Sequence, residues 1–348
     1  MDPARYQRLM DLFDEACDQP LAEQRALVAR LMEEDPELGG KLSGLLEHDA
    51  KEAPMLEAGE GARALAQSIE ADSGVEEAAA TSRQGGIVGA WIVEERIGKG
   101  GVGAVHRAHH AETGQPAAIK FLSRAAMGRP EDLQRFDREF RAVASLDHPG
   151  CLRVYEQGEG PAGHYIVMEY AAGGDLRRLQ GAPPRVVAPL LAQVADALVY
   201  VHSQGIVHRD VKPANLLLDG GEPPRVMLGD FGIAKMTDAT AILTGTGAVM
   251  GSIDFMSPEQ INGRPADVQS DVYAFGCTLF TMLAARAPFE GDNFERLYAR
   301  LRHQAPPLAS LLPDVPPALD VLCQRLMQRD PAARAGSLEG VADVLRAV

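Results

Sequence analysis

The sequence predicts an α+β protein with a small sheet-bearing half, a larger helical half and a short helical extension in front of both. Three observations lead to this class. Short β-like runs cluster between Trp91 and Tyr170, helical periodicity dominates the chain after them, and residues 1–50 carry helix caps and apolar residues at helical spacing. With 348 residues, 46% of them hydrophobic, the chain is long enough to bury a substantial core.

Residues 1–50 are predicted to form an acidic helical segment. Asp2-Pro3 and Asp35-Pro36 each offer an N-cap followed by proline at the first helical position. Apolar residues then recur at helical spacing in three groups: Leu9, Leu12, Phe13 and Ala16; Leu27, Val28, Leu31 and Met32; Leu38, Leu42, Leu45 and Leu46. A bundle of this size is marginal alone, so we expect it to act together with something else.

Residues 51–88 are predicted to be a flexible linker, because they are rich in Ala, Glu, Gly and Ser and lose apolar periodicity. A docking or autoinhibitory strip around Met55 and Leu56 is the alternative. The third predicted region, residues 89–348, contains all of the chemical motifs described below.

Charge and composition exclude several classes of partner. Residues 1–85 hold 19 acidic and 8 basic side chains, out of a net charge of −15 for the chain. Such an acidic balance disfavours nucleic acids and anionic membranes as partners. Because no run of 18 apolar residues occurs and the four cysteines are widely spaced, we expect a cytoplasmic protein that does not span a membrane.

The first motif is a glycine-rich run from Gly98 to Val105, between β-like runs at 91–97 and 103–109. It lies at a turn from strand to strand, and not at a turn from strand to helix. Backbone amides of such a turn can lie over nucleotide phosphates, although an ordinary glycine-rich hairpin has the same local pattern.

Lys120 stands between apolar residues in a third β-like run, 117–122. A buried ammonium group is costly unless it is paired, and Glu139 is the candidate partner on the following helix. The alternatives are a surface lysine whose charge reaches solvent, and a Glu139 that pairs with Arg135 or Arg138 on its own helix.

The most specific run is His208-Arg209-Asp210-Val211-Lys212-Pro213-Ala214-Asn215. It resembles the catalytic loop of the protein kinase superfamily, and a lysine two residues after the aspartate is typical of the serine/threonine branch. The resemblance implies that Asp210 orients the proton of a substrate hydroxyl, Lys212 neutralises the transferred phosphoryl group and Asn215 binds a metal ion.

Later motifs follow in the order that the family has. Asp230-Phe231-Gly232 is similar to the metal-binding triplet, and Glu259 with Arg334 to a buried ion pair. Asp271 is similar to an aspartate that supports the catalytic loop. The resemblance covers residues 89–348, is greatest to bacterial Hanks-type serine/threonine kinases, and implies a bilobal protein kinase fold with ATP and Mg²⁺ as cofactors and Mn²⁺ as an alternative metal.

The resemblance also assigns site residues. Catalytic roles fall to Asp210, Lys212, Lys120 and Glu139, and the metal ligands are Asn215 and Asp230. The nucleotide would be bound by Ile97, Gly98, Lys99, Gly100, Gly101, Val102, Gly103, Ala104, Val105, Ala118, Lys120, Glu169, Ala171 and Leu217. Asp175 has two interpretations, as a ribose contact and as the N-cap of a helix beginning at Leu176.

Regulation is predicted from the segment between Asp230 and Glu259, where Thr244 and Thr246 are the expected phosphorylation sites. Arg209 would supply a cation for a phosphate there. The predicted function is phosphate transfer from ATP to protein serine and threonine residues, with autophosphorylation in a dimer of kinase domains and a regulatory partner for the acidic segment. A pseudokinase scaffold and a small-molecule phosphotransferase are the alternatives.

Overall fold

A computed structural model describes residues 8, 12, 16, 21–36, 38–43, 86–100, 103–122, 140–160, 163–231, 253–291 and 293–348. The chain divides into two compact units. The first contains the described helices of the N-terminal segment, and the second contains the described residues from 86 onward.

The N-terminal unit is helical where it is described. Helix α1 spans Leu21–Glu34, and its residues Leu27 and Leu31, one turn apart, are buried as the apolar spacing predicts. Met32, which the sequence places on the same apolar face, is 47% exposed. Its position, one residue past Leu31, turns it about 100° away from the buried stripe.

The next helical stretch of this unit, residues 38–43, begins at the predicted cap. The Asp35 carboxylate accepts a hydrogen bond from the backbone N–H of Leu38 at 3.2 Å. This contact satisfies one of the amide groups that a helix start leaves without a partner. The Asp-Pro signal therefore identifies a real helix start.

The second unit begins with a six-stranded antiparallel sheet. Its strands are β1 (Ile87–Val88), β2 (Trp91–Gly100), β3 (Gly103–His110), β4 (Pro116–Leu122), β5 (Val154–Gly160) and β6 (Gly163–Glu169). Their order across the sheet is β1-β2-β3-β4-β6-β5. The sheet thus starts at Ile87, two residues before the predicted domain start.

One face of the sheet is packed with apolar side chains. Ile119 and Phe121 on β4 are buried there with Trp91 of β2, whereas Lys120 between them faces the other side. This alternation follows from the period of two along a strand. It directs Lys120 toward the loops that follow the sheet.

The rest of the described unit consists of helices and the loops that join them. Besides a short helical stretch at residues 140–144, the helices are α2 (Pro184–Ser203), α3 (Pro258–Ile261), α4 (Val268–Ala284), α5 (Asn293–Arg302), α6 (Pro317–Leu326) and α7 (Val341–Arg346). A two-stranded hairpin of β7 (Leu216–Leu218) and β8 (Val226–Leu228) lies among them. The small sheet followed by a larger helical part confirms the predicted fold class.

Two helices form the centre of this part. Helix α4 is buried at every position from Ser270 to Leu283, and a capping box of Asp267 and Ser270 starts it. Among the described helices, α2 has the length and composition of a membrane span, and 56% of its most apolar 18-residue stretch is buried within the fold. Its buried residues belong to the same core as those of α4.

Candidate active site

The glycine run forms the β2–β3 hairpin, as its predicted place between two strands requires. Gly98 pairs with Val105, and Gly100 pairs with Gly103. Gly103 has a φ of 152°, and a Cβ atom there would lie 1.8 Å from the carbonyl oxygen of Phe121. Only glycine fits this position. Two predicted members of the run, 101 and 102, lie outside the described residues.

Strand β4 carries the predicted lysine into contact with the later motifs. Lys120 pairs in the sheet with Val105 and Ile166, and its ammonium group forms an ion pair with the carboxylate of Asp230. The predicted partner Glu139 lies outside the described residues, so that ion pair remains a prediction. The side chain of Lys120 is only 14% exposed and is paired, which argues against the alternative interpretation of Lys120 as a surface lysine.

Two of the predicted adenine contacts, Glu169 and Ala171, lie in the segment that joins the sheet to the helices. Glu169 ends β6 and donates its backbone N–H to the carbonyl of Arg153 at 2.8 Å; Ala171 follows two residues later. Ala118 on β4 is buried opposite Met168, and Leu217 on β7 bridges to Asp175. Their shared role as contacts of the adenine stays a prediction.

Asp175 caps the 3₁₀ helix Leu176–Leu179. Its carboxylate accepts the backbone N–H of Arg177 at 3.0 Å, and the guanidinium of Arg177 binds both carboxylate oxygens at 2.9 and 2.8 Å. The N-cap interpretation is therefore confirmed. The ion pair raises the pKa of Arg177 through its hydrogen bond to Asp175.

A carboxylate of α4 binds the backbone of the run from His208 to Asn215. Asp271 accepts the backbone N–H groups of His208 and Arg209, both at 2.8 Å, and lies 2.8 Å from Nε2 of His202. Arg209 has a φ of 66°, which is unfavourable for a non-glycine residue. These hydrogen bonds hold the loop in that strained turn.

His208 links the backbone of Asp210 to that of Gly229, the residue before Asp230. Its Nε2 lies 3.1 Å from the carbonyl oxygen of Gly229, so it must donate, and Nδ1 accepts the backbone N–H of Asp210 at 3.3 Å. Complete burial lowers its pKa, and the nearby carboxylate of Asp271 only partly opposes this. His208 is therefore neutral, with the proton on Nε2.

Asp210 has its carboxylate fixed by two side chains of its own loop. Oδ2 of Asp210 lies 2.9 Å from Nζ of Lys212 and accepts the amide of Asn215 at 2.8 Å. The same amide group of Asn215 also donates to the backbone carbonyl of Asp210. The structure therefore brings together three of the predicted catalytic and metal-binding residues within hydrogen-bond distance.

A buried ion pair, which we call the Glu259 clasp, joins Glu259 of α3 to Arg334 in the helical half. Arg334 donates to both carboxylate oxygens of Glu259 at 2.7 and 2.8 Å, and its guanidinium lies 4.9 Å from the ring centre of Tyr273. Burial alone would raise the pKa of Glu259, but the hydrogen bonds from Arg334 outweigh it and hold this pKa below the ordinary value of 4.5. The predicted pair is thus present as an ion pair.

Comparison with known proteins identifies the family. The model of the protein kinase domain matches residues 91–345. The chain belongs to the protein kinase family. The serine/threonine-protein kinases Pkn1 of Myxococcus xanthus and PknL of Mycobacterium tuberculosis are each 35% identical to it, over 74% and 73% of this chain. These relatives are bacterial Hanks-type kinases, as the sequence predicts.

The fold of the kinase domain agrees with solved structures. The crystal structure of the PknI kinase domain from M. tuberculosis is 30% identical, with a TM-score of 0.61, over 76% of this chain and 98% of that one. The chain spans 38% of the length of Pkn1 and 66% of the length of PknL. The likeness to these relatives therefore concerns their kinase domains.

Protein kinase domains use ATP and a divalent metal, and the residues of this site fit such a metal. Asn215 uses its amide nitrogen on Asp210, which directs its amide oxygen elsewhere, and Asp230 offers a carboxylate that is 50% exposed. Hard divalent cations prefer such oxygen ligands. No cluster of three or more His, Cys, Asp or Glu side chains suited to a metal occurs within the described parts of the chain.

A pocket of the kinase domain adjoins the Lys120–Asp230 contact. Its lining is mostly apolar and consists of Lys120, Leu122, Val143, Leu152, Val154, Ile166, Met168, Gly229, Asp230 and Phe231. Phe231 also packs against the ring of His208, with the ring centres 4.7 Å apart. Apolar walls lower the local dielectric constant and so strengthen the Lys120–Asp230 attraction.

The predicted phosphorylation sites Thr244 and Thr246 lie in 232–252, outside the described residues. Conversely, two contacts of the kinase domain have no signal in the sequence. His202 binds Asp271, and Arg225 binds Glu169 across 56 positions of the chain. Neither belongs to a motif; the only hint at Arg225 is a charge directly before a buried strand.

Proposed function

We propose that this chain is an active serine/threonine protein kinase that transfers the γ-phosphate of ATP to serine and threonine hydroxyls of proteins. The observation that carries the proposal is the Asp210 carboxylate, bound by Lys212 and Asn215 in a loop that Asp271 supports. Its relatives with the same domain are named serine/threonine-protein kinases.

The chemistry follows from the roles of these side chains. The substrate hydroxyl oxygen forms a bond to the γ-phosphorus while the bond from that phosphorus to the β,γ-bridging oxygen breaks, and ADP leaves. Asp210 orients the hydroxyl and takes its proton. Lys212, 2.9 Å from Asp210, is placed to neutralise charge on the transferred phosphoryl group.

Mg²⁺ is the metal that we propose, with Mn²⁺ as an alternative, and Asn215 and Asp230 would hold it. When bound, the metal supplies positive charge to the phosphates of ATP. Lys120, which is in contact with Asp230, is proposed to bind the same phosphates. The neutral His208 binds the backbone N–H of Asp210 and the carbonyl of Gly229, which precedes Asp230, and so fixes the spacing between the two aspartates.

Regulation is part of the proposal. Thr244 and Thr246 are proposed to be phosphorylated in trans within a transient dimer of kinase domains, with Arg209 as a cation for the phosphate. The acidic segment 1–50, joined by the linker 51–88, is proposed to bind a regulatory partner. We place the protein in the cytoplasm, with neither a membrane nor a nucleic acid as partner.

Phosphate transfer from ATP and Mg²⁺ to the protein itself and to a basic generic substrate tests the proposal. We expect label on Thr244 or Thr246 in the wild type, mapped by mass spectrometry, and none in Asp210→Asn. Asp343→Asn removes an exposed carboxylate of α7 and should behave as the wild type. A wild type that binds ATP but transfers no phosphate would favour a scaffold.

A further inference from the structure

Arg225 lies in a turn that the structure builds around it. The carboxylate of Asp219 accepts the backbone N–H groups of Gly221 and Arg225 at 2.9 and 3.0 Å, which closes the turn between β7 and β8. On the other side, Gln193 of α2 donates to the carbonyl of Pro224 at 3.2 Å and accepts the backbone N–H of Val226 at 2.9 Å. The backbone on both sides of Arg225 is therefore fixed.

The guanidinium of Arg225 reaches three separate segments of the chain. Nη2 donates to Oε1 of Glu169 at 2.7 Å, Nε lies 3.3 Å from Oδ2 of Asp219, and Nη1 donates to the carbonyl of Pro149 at 3.1 Å. The flat, forked guanidinium suits three partners in different directions, which a lysine ammonium would not match. The side chain is 36% exposed, so water only partly screens these contacts.

The family resemblance implies that the backbone of Glu169 contacts the edge of the adenine. Its side chain is held by Arg225 through Oε1, and Oε2 accepts the backbone N–H of Arg153 at 3.3 Å. The backbone N–H of Glu169 donates to the Arg153 carbonyl. With its side chain and its N–H both bound, the position of its carbonyl group depends on these anchors, and Arg225 is the one that connects it to the helical half.

We propose that Arg225 is a positioning residue for nucleotide binding. It binds Glu169 to the β7–β8 turn, which Gln193 holds against α2, and so fixes the segment 169–171 that contacts the adenine. The inference rests on the proposed function, because it takes ATP as the ligand of this cleft. Displacement of a binding group by a fraction of an ångström is enough to weaken recognition several-fold.

The test compares equilibrium dissociation constants by calorimetry for ATP and for adenosine, which lacks the phosphates. We expect Arg225→Gln to raise both constants by the same factor, about five- to tenfold. Equal losses of affinity for ATP and adenosine would show that the effect does not act through the phosphates. Arg286→Gln is the matched control, because Arg286 is 34% exposed and pairs with a single carboxylate, that of Glu290; it should bind both ligands as the wild type does.

Glu169→Gln removes the charge of the other partner in the Arg225–Glu169 contact. This variant is the test if Arg225→Gln folds poorly. Both variants break the contact between Arg225 and Glu169, so the double variant should lose no more than Arg225→Gln alone. An ATP constant within twofold of the wild type in Arg225→Gln, a loss confined to ATP, or additive losses would overturn the proposal. Binding requires no turnover, so failure of phosphate transfer in the wild type bears on the proposed function alone.

Discussion

Gly103 is the residue where the backbone geometry of the nucleotide cleft depends most on the absence of a side chain. Its φ of 152° and the carbonyl of Phe121, 1.8 Å from a would-be Cβ, leave no room for a methyl group. We therefore expect Gly103→Ala to lower the free energy of unfolding by about 1–3 kcal/mol. Denaturant unfolding of the full chain measures this.

Gly336→Ala is the control for that prediction. A methyl group at position 336 would have no other atom within 4 Å, and Gly336 has no φ in the left-handed region. Alanine there should leave the free energy of unfolding unchanged or raise it slightly, since it restricts the unfolded chain. If both variants lost the same stability, the contact with Phe121 would not be the cause.

Among the elements, helix α5 anchors the stretch that leads into the Glu259 clasp. Arg300 of α5 is completely buried, donates to the backbone carbonyls of Ile253 and Asp254, and lies 5.4 Å from the ring centre of Phe289. Arg296, one turn earlier, binds the Asp254 carboxylate at 2.7 Å. A buried cation that binds carbonyl groups fixes the backbone itself and not only a side chain.

We expect Arg300→Ala to lower the free energy of unfolding by about 2–4 kcal/mol, because two partly buried carbonyls lose their donor and a cavity forms where the buried side chain was. Residues 253–255 lie within the predicted regulatory segment between Asp230 and Glu259, so the KM for protein substrate should rise more than the KM for ATP. Arg325→Ala, an exposed arginine of α6, is the control and should change neither. Equal rises in both KM values would contradict the anchoring role.

The clasp between α3 and Arg334 predicts how stability changes with pH. The folded pKa of Glu259 lies below 4.5, its ordinary value, so the unfolded chain binds the proton more tightly. The stabilisation is therefore fully present above about pH 4.5 and is lost as the pH falls toward the folded pKa. At neutral pH, Glu259→Gln should lower the free energy of unfolding by about 3 kcal/mol, since Arg334 stays buried without its carboxylate.

Unfolding of the wild type and of Glu259→Gln across the pH range measures this effect. The difference between the two should be constant near neutrality and should shrink in acid, where the wild-type side chain takes up a proton. Glu290→Gln removes an exposed carboxylate and should give a small difference at every pH. A difference for Glu259→Gln that stayed constant into acid would contradict the assigned pKa.

At the scale of the whole molecule, the sequence predicted what depends on neighbours along the chain. The β2–β3 hairpin, the Asp175 cap and the run from Asp210 to Asn215 are each defined within one continuous stretch of the chain, and turn and capping chemistry or motif spacing predicts them. The fold class followed from the order of these local patterns.

Contacts between distant positions were not predictable from local patterns, and the Glu259–Arg334 pair was predicted only through the family resemblance. Lys120 meets Asp230 across 110 positions, whereas the sequence suggested only the helix that follows β4. Arg300 stands among other arginines of α5, where a single sequence indicates a solvated face, yet it is the most deeply buried of them. Such contacts depend on how the elements pack, which no local periodicity encodes.

The boundary of the kinase domain gives the last prediction. The described members of its hydrophobic clusters begin at Val88, and β1 pairs with β2 through Ile87 and Ile92. The carbonyl of Gly86 also accepts the backbone N–H of Val93 at 2.9 Å. Deletion of residues 1–85 keeps these contacts, whereas deletion of residues 1–90 removes them.

We therefore expect the chain without residues 1–85 to be soluble and to unfold at the temperature of the full-length protein, with an altered rate of phosphate transfer if the acidic segment regulates it. The chain without residues 1–90 should unfold roughly 2–4 °C lower, because a pair of edge strands loses its hydrogen bonds. Thermal unfolding of both deletions side by side separates the two regions. An insoluble product from the shorter deletion would mean that the N-terminal unit is needed for folding and not only for regulation.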